Sequence, residues 1–335
     1  MTSVFETTRI LGSRAPGARC PTHGSPTYGS PTHGSPTHGS PAPSSDTHSA
    51  PDLLIEIPHG ATRLADFEAL RRELVGSFPA DLEAFFCVNT DVGAPELAFA
   101  SALELTAARP ELCVEILRCR IPRTFIDCNR VIERATMARA SAAGEMTPGL
   151  HEWITHPSDR ALLLERYFAY RTAAEQAYER VMANGGRALM LHSYAPRSVD
   201  VPVDSRIVER LREEYRPERI AHWPLRPAID LIDRDPQGAL LADEAIAGRV
   251  EREAAAAGWD CTRSRAYALH PVSLAHHFAA RFPGRTLCLE VRRDLLVEEF
   301  RPFDEMRADP SRIQAAARLL SSALSEALPT ASAGA

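Results

Sequence analysis

The chain has 335 residues, 44% of them hydrophobic and 24% charged, with a formal net charge of -6. That is the composition of an ordinary globular protein, and the mild charge, spread without long single-sign blocks, gives no electrostatic case for nucleic acid or a membrane surface. Every formal cation is an arginine, so Schiff-base and lysine-nucleophile chemistry are excluded.

Seven scattered cysteines without a C-x-x-C pair indicate neither a disulfide framework nor a cysteine-rich zinc site, and suit a reducing cytoplasm. No apolar run approaches the ~20 residues of a membrane-spanning helix, and the start lacks the pattern of a secretion signal. A soluble cytoplasmic protein with a small-molecule partner is expected.

Residues 1–50 are dominated by a five-residue repeat, Pro21-Thr22-His23-Gly24-Ser25, which recurs with Tyr28, His33 and His38 at its third place. Such a tract buries too little apolar surface to offset its ordering entropy, so a disordered tail is expected, followed by a single domain over 51–330. Leu53-Leu54-Ile55-Glu56-Ile57 reads as a strand ending in Pro58-His59-Gly60. Leu64, Phe67, Leu70 and Leu74 mark one face of a helix. Phe85-Phe86-Cys87-Val88 reads as a strand opening onto Asn89-Thr90-Asp91, and Pro95 suits the first turn of the next helix.

Val114 to Ile116 and Thr124 to Asp127 read as further strands. A long helix is expected over 158–182, stopped by Gly185-Gly186. Leu189-Met190-Leu191 then forms a strand that ends in His192-Ser193. Strands at 228–232 and 286–291 and helices at 244–257, 273–282 and 313–328 complete an α/β alternation, which argues for one α/β sandwich.

Polar groups gather at the strand ends: His59, Asp91, the cluster Asp127/Asn129/Arg130, and His192. Two imidazoles and one carboxylate make a common catalytic zinc sphere with a fourth position open, although each histidine alone also fits a hydrogen-bonded strand end. Glu290, inside an apolar strand, is either a general base or the partner of a neighbouring arginine, because an unpaired buried carboxylate is costly. Arg130 with Asn129, and Arg123, suit capture of a substrate carboxylate. Cys128 is a weaker candidate nucleophile. No nucleophile elbow, Walker A loop or dinucleotide fingerprint is present.

In order and spacing, Ile57-Pro58-His59-Gly60, Thr90-Asp91 with Glu96-Leu97, Arg123 through Ile126-Asp127-Cys128-Asn129-Arg130, Leu191-His192-Ser193 and Leu289-Glu290-Val291-Arg292-Arg293-Asp294-Leu295 resemble the N-formylglutamate amidohydrolase family, a relative of zinc carboxypeptidases and aspartoacylases. The resemblance implies a three-layer α/β sandwich with a mixed central sheet, phosphorylase/hydrolase-like in the manner of zinc carboxypeptidases. It also implies a mononuclear Zn2+ site that hydrolyses a linear amide of an N-formyl or N-acyl amino acid. Carried over by position, His59, Asp91 and His192 would be the zinc ligands, with Glu96 a less favoured substitute for Asp91. Glu290 would be the general base, and Asn129 and Arg130 would hold the substrate carboxylate.

Three positions depart from the better-known members of that family: Gly60 where a serine is usual, Met190 where an acidic residue is usual, and Arg171 after Ala169-Tyr170 in place of a Pro-Tyr-His element. They leave the implied zinc set intact and the substrate open. A binding protein on the same fold is the alternative reading.

Overall fold

A computed structural model describes residues 3–12, 50–132 and 148–328. Seven strands form one mixed sheet: β1 (Phe5–Leu11), β2 (Leu53–Ile57), β3 (Cys113–Cys119), β4 (Arg187–Tyr194), β5 (Ile229–Ile232), β6 (Cys261–Arg263) and β7 (Thr286–Arg292). Their spatial order is β1-β3-β2-β4-β7-β5-β6. The centre, β3-β2-β4-β7, is parallel, and β1 and β5 join its two sides antiparallel. The sheet thus begins ahead of residue 51, because Phe5–Leu11 pairs with β3 from Phe5 opposite Cys119 to Leu11 opposite Cys113. The five-residue repeat lies outside the described residues.

Nine helices are described: α1 (Leu64–Arg71), α2 (Leu82–Asn89), α3 (Ala94–Ala108), α4 (Pro157–Ala183), α5 (Ile207–Glu214), α6 (Pro217–Ile220), α7 (Glu244–Ala256), α8 (Leu274–Arg281) and α9 (Pro310–Ala327). β2 is buried at all five positions, as a central strand covered on both faces must be, which is why it reads as an apolar run broken only by Glu56. Leu53, Ile55, Val114, Leu189, Leu191, Leu287 and Leu289 turn one face of the sheet toward α3, α7 and α9. Leu54, Leu117, Ala188, Met190 and Cys288 face the other way, among the buried side chains of α1, α2, α4, α5 and α8. The result is the three-layer α/β sandwich expected.

Local capping fixes where the helices start. The side chain of Asp243 accepts from Ala245 N and Ile246 N at the head of α7, and Asp309 does the same with Ser311 N and Arg312 N at α9. Gly93 precedes α3 with φ +90°, and a Cβ there would lie 2.6 Å from Leu296 Cβ, so only glycine fits.

Two expectations are corrected. The run 85–88 is part of helix α2, with all four side chains buried. Residues 124–127 form a turn in which Phe125 N donates to Pro122 O at 3.0 Å, tied to Leu150 by a single bridge at Ile126.

Candidate active site

The site lies at the C-terminal ends of β2, β4 and β7. His59 follows β2 by two residues, Asp91 occupies the turn between α2 and α3, and His192 sits within β4, which continues to Tyr194. All three side chains are buried. One ligand atom from each lies within 4.8 Å of the others, a spacing that can hold a metal ion. Asp91 Oδ2 is 3.3 Å from His59 Nδ1 and 2.8 Å from His192 Nδ1.

A second ring of contacts orients these groups. Asp127 Oδ1 lies 2.8 Å from His59 Nε2 and also accepts from Asn129 N at 2.8 Å. Burial works to raise the Asp127 carboxyl, but Arg130, Arg123 and His59 outweigh it and hold it well below the usual carboxylate range. An ionised Asp127 only accepts, so His59 Nε2 carries a proton and Nδ1 is the ring nitrogen turned toward Asp91 and the site. Asn129 Nδ2 faces His192 Nε2 at 3.3 Å, while its Oδ1 accepts from Ala275 N at 3.1 Å. Burial would likewise raise Asp91, yet the facing His59 and His192 keep it below its ordinary value.

Glu290 is the direct register partner of His192 across the parallel β4/β7 pair, so both point to the same face of the sheet. Its Oε2 is buried without a hydrogen-bond partner, and burial pushes the carboxyl up to about 7 against the pull of His192. The salt-bridge alternative is not taken up by its neighbours. Arg292 pairs with Asp294 at 2.9 Å, and Arg293 bonds Val88 O and Ser193 O.

Arg123 Nη2 donates to Asp127 Oδ2 at 3.0 Å and its Nη1 lies 4.0 Å from Asp91 Oδ1; Arg130 Nη2 is 3.8 Å from Asp127 Oδ2. The cleft has two lobes. A cavity of about 390 Å³ is bordered by His59, Asn129, Arg130 and His192, and one of about 210 Å³ by Asp91 and Arg293. Arg123, Arg226, Tyr267 and Glu290 border both.

His59, Asp91, Arg123, Asn129, Arg130, His192 and Glu290 therefore border one cleft. Glu96 does not join the cluster of His59, Asp91 and His192. Cys128 is buried, and burial raises its thiol well above the ordinary range, which leaves no thiolate to act as nucleophile.

Arg226, Tyr267 and Arg293 were not singled out. The first two come from irregular segments with no periodic signal, whereas Arg293 follows Glu290 closely enough to have been found. Gly60 has a steric cause, since a Cβ there would meet Cys119 O at 2.8 Å. Met190 packs in the core opposite Glu56, and Arg171 pairs with Glu175.

The sequence profile of the N-formylglutamate amidohydrolase family matches residues 51–297. Among solved structures, the chain is similar to an N-formylglutamate amidohydrolase from Ralstonia eutropha JMP134, with 19% identity and a TM-score of 0.52 over 84% of this chain and 95% of that one. It also matches a gene product of Agrobacterium tumefaciens at 18% identity, with a TM-score of 0.46 over 83% and 90% of the two chains. A metallo-carboxypeptidase from Burkholderia cenocepacia matches at 11% and 0.38, over 86% of this chain and 59% of that one. No curated protein matches. The match of the profile, which spans most of the chain and takes in His59, Asp91, His192 and Glu290, means that this protein belongs to the N-formylglutamate amidohydrolase family.

Proposed function

We propose that this protein hydrolyses the amide bond of an N-formyl or N-acyl amino acid, with a zinc ion held by His59, Asp91 and His192. The observation that carries this reading is the convergence of both imidazole Nδ1 atoms on Asp91 Oδ2, next to a buried Glu290 carboxylate oxygen without a partner. Two nitrogens and one carboxylate oxygen suit zinc, and the Asp127 carboxylate behind His59 is the usual support for a ligating histidine. When bound, zinc supplies Lewis acidity toward an acyl carbonyl and lowers the pKa of water toward ~7.

The protein's own groups do the rest. Glu290 takes a proton from the attacking water and returns it to the nitrogen as the C–N bond breaks, giving a carboxylate and an amine. Arg130 and Asn129 hold the carboxylate of the amino acid, and Arg123 adds a second guanidinium at the junction of the lobes. The buried walls limit water around these charges and so strengthen their interactions.

The direct test is metal content together with turnover of N-formyl and N-acetyl amino acids. Stoichiometric zinc, lost in His192→Ala, and hydrolysis lost in Glu290→Gln are the expected results. Protein without stoichiometric zinc, and unchanged in metal binding by His192→Ala, rules the reading out. Zinc retained without turnover of any amide rules out catalysis.

A further inference from the structure

The family is named for a formyl substrate, and a formyl group needs no room beyond its single hydrogen. This cleft has such room. With the amino acid's carboxylate at Asn129 and Arg130 in the larger lobe, the scissile carbon lies by His59, His192 and Glu290. The substituent on that carbon must then point into the other lobe, on the side of Asp91. That lobe measures about 210 Å³. An apolar cavity of ~150 Å³ already accommodates benzene.

Its apolar lining is Phe85 and Val88 from α2, Ile207 and Leu211 of α5, and Tyr215 beyond it, alongside the polar Asn89, His151 and Ser193. The strap before α5 contributes by alternation. Val199, Val201 and Val203 are half-buried and border both lobes, while Asp200 and Pro202 between them are exposed. Each of the four arginines bordering this lobe is anchored: Arg197 donates to Trp223 O at 2.8 Å, Arg293 to Val88 O at 2.8 Å, Arg123 to Asp127 Oδ2 at 3.0 Å, and Arg226 to Ala195 O at 3.2 Å and the Tyr267 hydroxyl at 2.7 Å, with only its Nε left without a partner. Anchored guanidinium groups by the scissile carbon and aliphatic side chains beyond them suit an uncharged chain attached to a carbonyl.

We propose that the smaller lobe is an acyl pocket, and that the preferred substrate carries a medium-length aliphatic acyl group of about six carbons in place of formyl. The inference rests on the substrate orientation given under the proposed function, so its test separates the two. The full-length protein is titrated calorimetrically with formate, acetate and hexanoate, the acyl products of such a reaction. In parallel, hydrolysis of N-formyl-, N-acetyl- and N-hexanoyl-L-glutamate is measured.

Each buried methylene strengthens binding about fourfold, so hexanoate should bind at least ~30-fold tighter than acetate. Val203→Trp, on the half-buried strap, and Leu211→Phe, on α5, should each bring that ratio down by about tenfold, and two sites guard against one variant failing to fold. Equal binding of acetate and hexanoate overturns the acyl pocket, and does so even if N-formylglutamate is turned over well. Tight hexanoate binding that Val203→Trp and Leu211→Phe both leave intact also overturns it. Tight, variant-sensitive hexanoate binding without hydrolysis of any amide supports the pocket and fails the amidohydrolase reading.

Discussion

Asp127 accepts the Nε2 proton of His59 at 2.8 Å, on the side of the ring away from Asp91. The same carboxylate accepts from Arg123 at 3.0 Å and from Asn129 N, so it fixes the ring and the loop that carries Asn129 and Arg130. Asp127→Asn keeps an acceptor but removes the charge that fixes the tautomer and raises the basicity of Nδ1. Zinc affinity should fall by about 10–100-fold, the usual cost of losing such support. Competition with a chromophoric chelator measures this. An unchanged affinity would show that Asp127 serves only the loop.

Glu56 shows how the layer under the site is held. It is wholly buried, and the hydroxyls of Tyr170 and Tyr178 donate to its two oxygens at 2.6 and 2.9 Å. Burial raises its pKa despite those bonds. Glu56→Ala strands two buried hydroxyls and opens a cavity, which should cost about 3 kcal/mol or more. Glu56→Gln keeps an acceptor and should cost about 1 kcal/mol. Urea midpoints at constant m separate the two cases. Near-equal midpoints for Glu56→Ala and the parent would remove Glu56 from the account of stability.

His151 links acid stability to the wall of the cleft. It is buried against Trp153, with ring centroids 4.3 Å apart, and its Nε2 donates to Arg123 O at 2.9 Å. Burial lowers its pKa from 6.5 to about 4. Between these values the unfolded chain binds a proton that the folded chain does not, so stability is full above pH 6.5 and is lost as pH falls toward 4. The loss from this residue should be about 3 kcal/mol. His151→Gln can still donate to the carbonyl and does not titrate. Its unfolding free energy should therefore fall less steeply over that range, and parallel pH curves for the two proteins would refute the assignment.

The cluster of His59, Asp91 and His192 could be singled out because two strands buried on both faces are mainly apolar, so the histidine at the end of each run stands out, as at Ile57-Pro58-His59 and Leu191-His192. The same rule misreads 85–88. A short apolar run fits a buried helix as well as a strand, and α2 is buried on nearly every side. The error left the site intact, because Asp91 follows the segment whether it is coiled or extended. Arg226 and Tyr267 could not be read, since tertiary folding alone brings their loops to the cleft. The departures at Gly60 and Met190 gain their meaning only from neighbours distant in sequence, Cys119 and Glu56.

Arg293 ties together the two segments that deliver Asp91 and His192. Its guanidinium is buried and donates to Val88 O at 2.8 Å, three residues before Asp91, and to Ser193 O at 3.2 Å, directly after His192. Ser193 Oγ in turn donates to Val92 O at 2.9 Å, which closes the link from the other side. Lysine at this position keeps the charge but has no planar fork to span both carbonyls. Arg293→Lys should therefore destabilise the fold by about 2–3 kcal/mol, through a buried carbonyl left without a donor. It should also weaken zinc binding by at least about tenfold, because the distance between Asp91 and His192 is no longer fixed. The two effects are separable. Chelator competition at a temperature where the variant is fully folded reads the affinity alone, and an unchanged value there would make Arg293 a structural residue with no part in positioning the ligands.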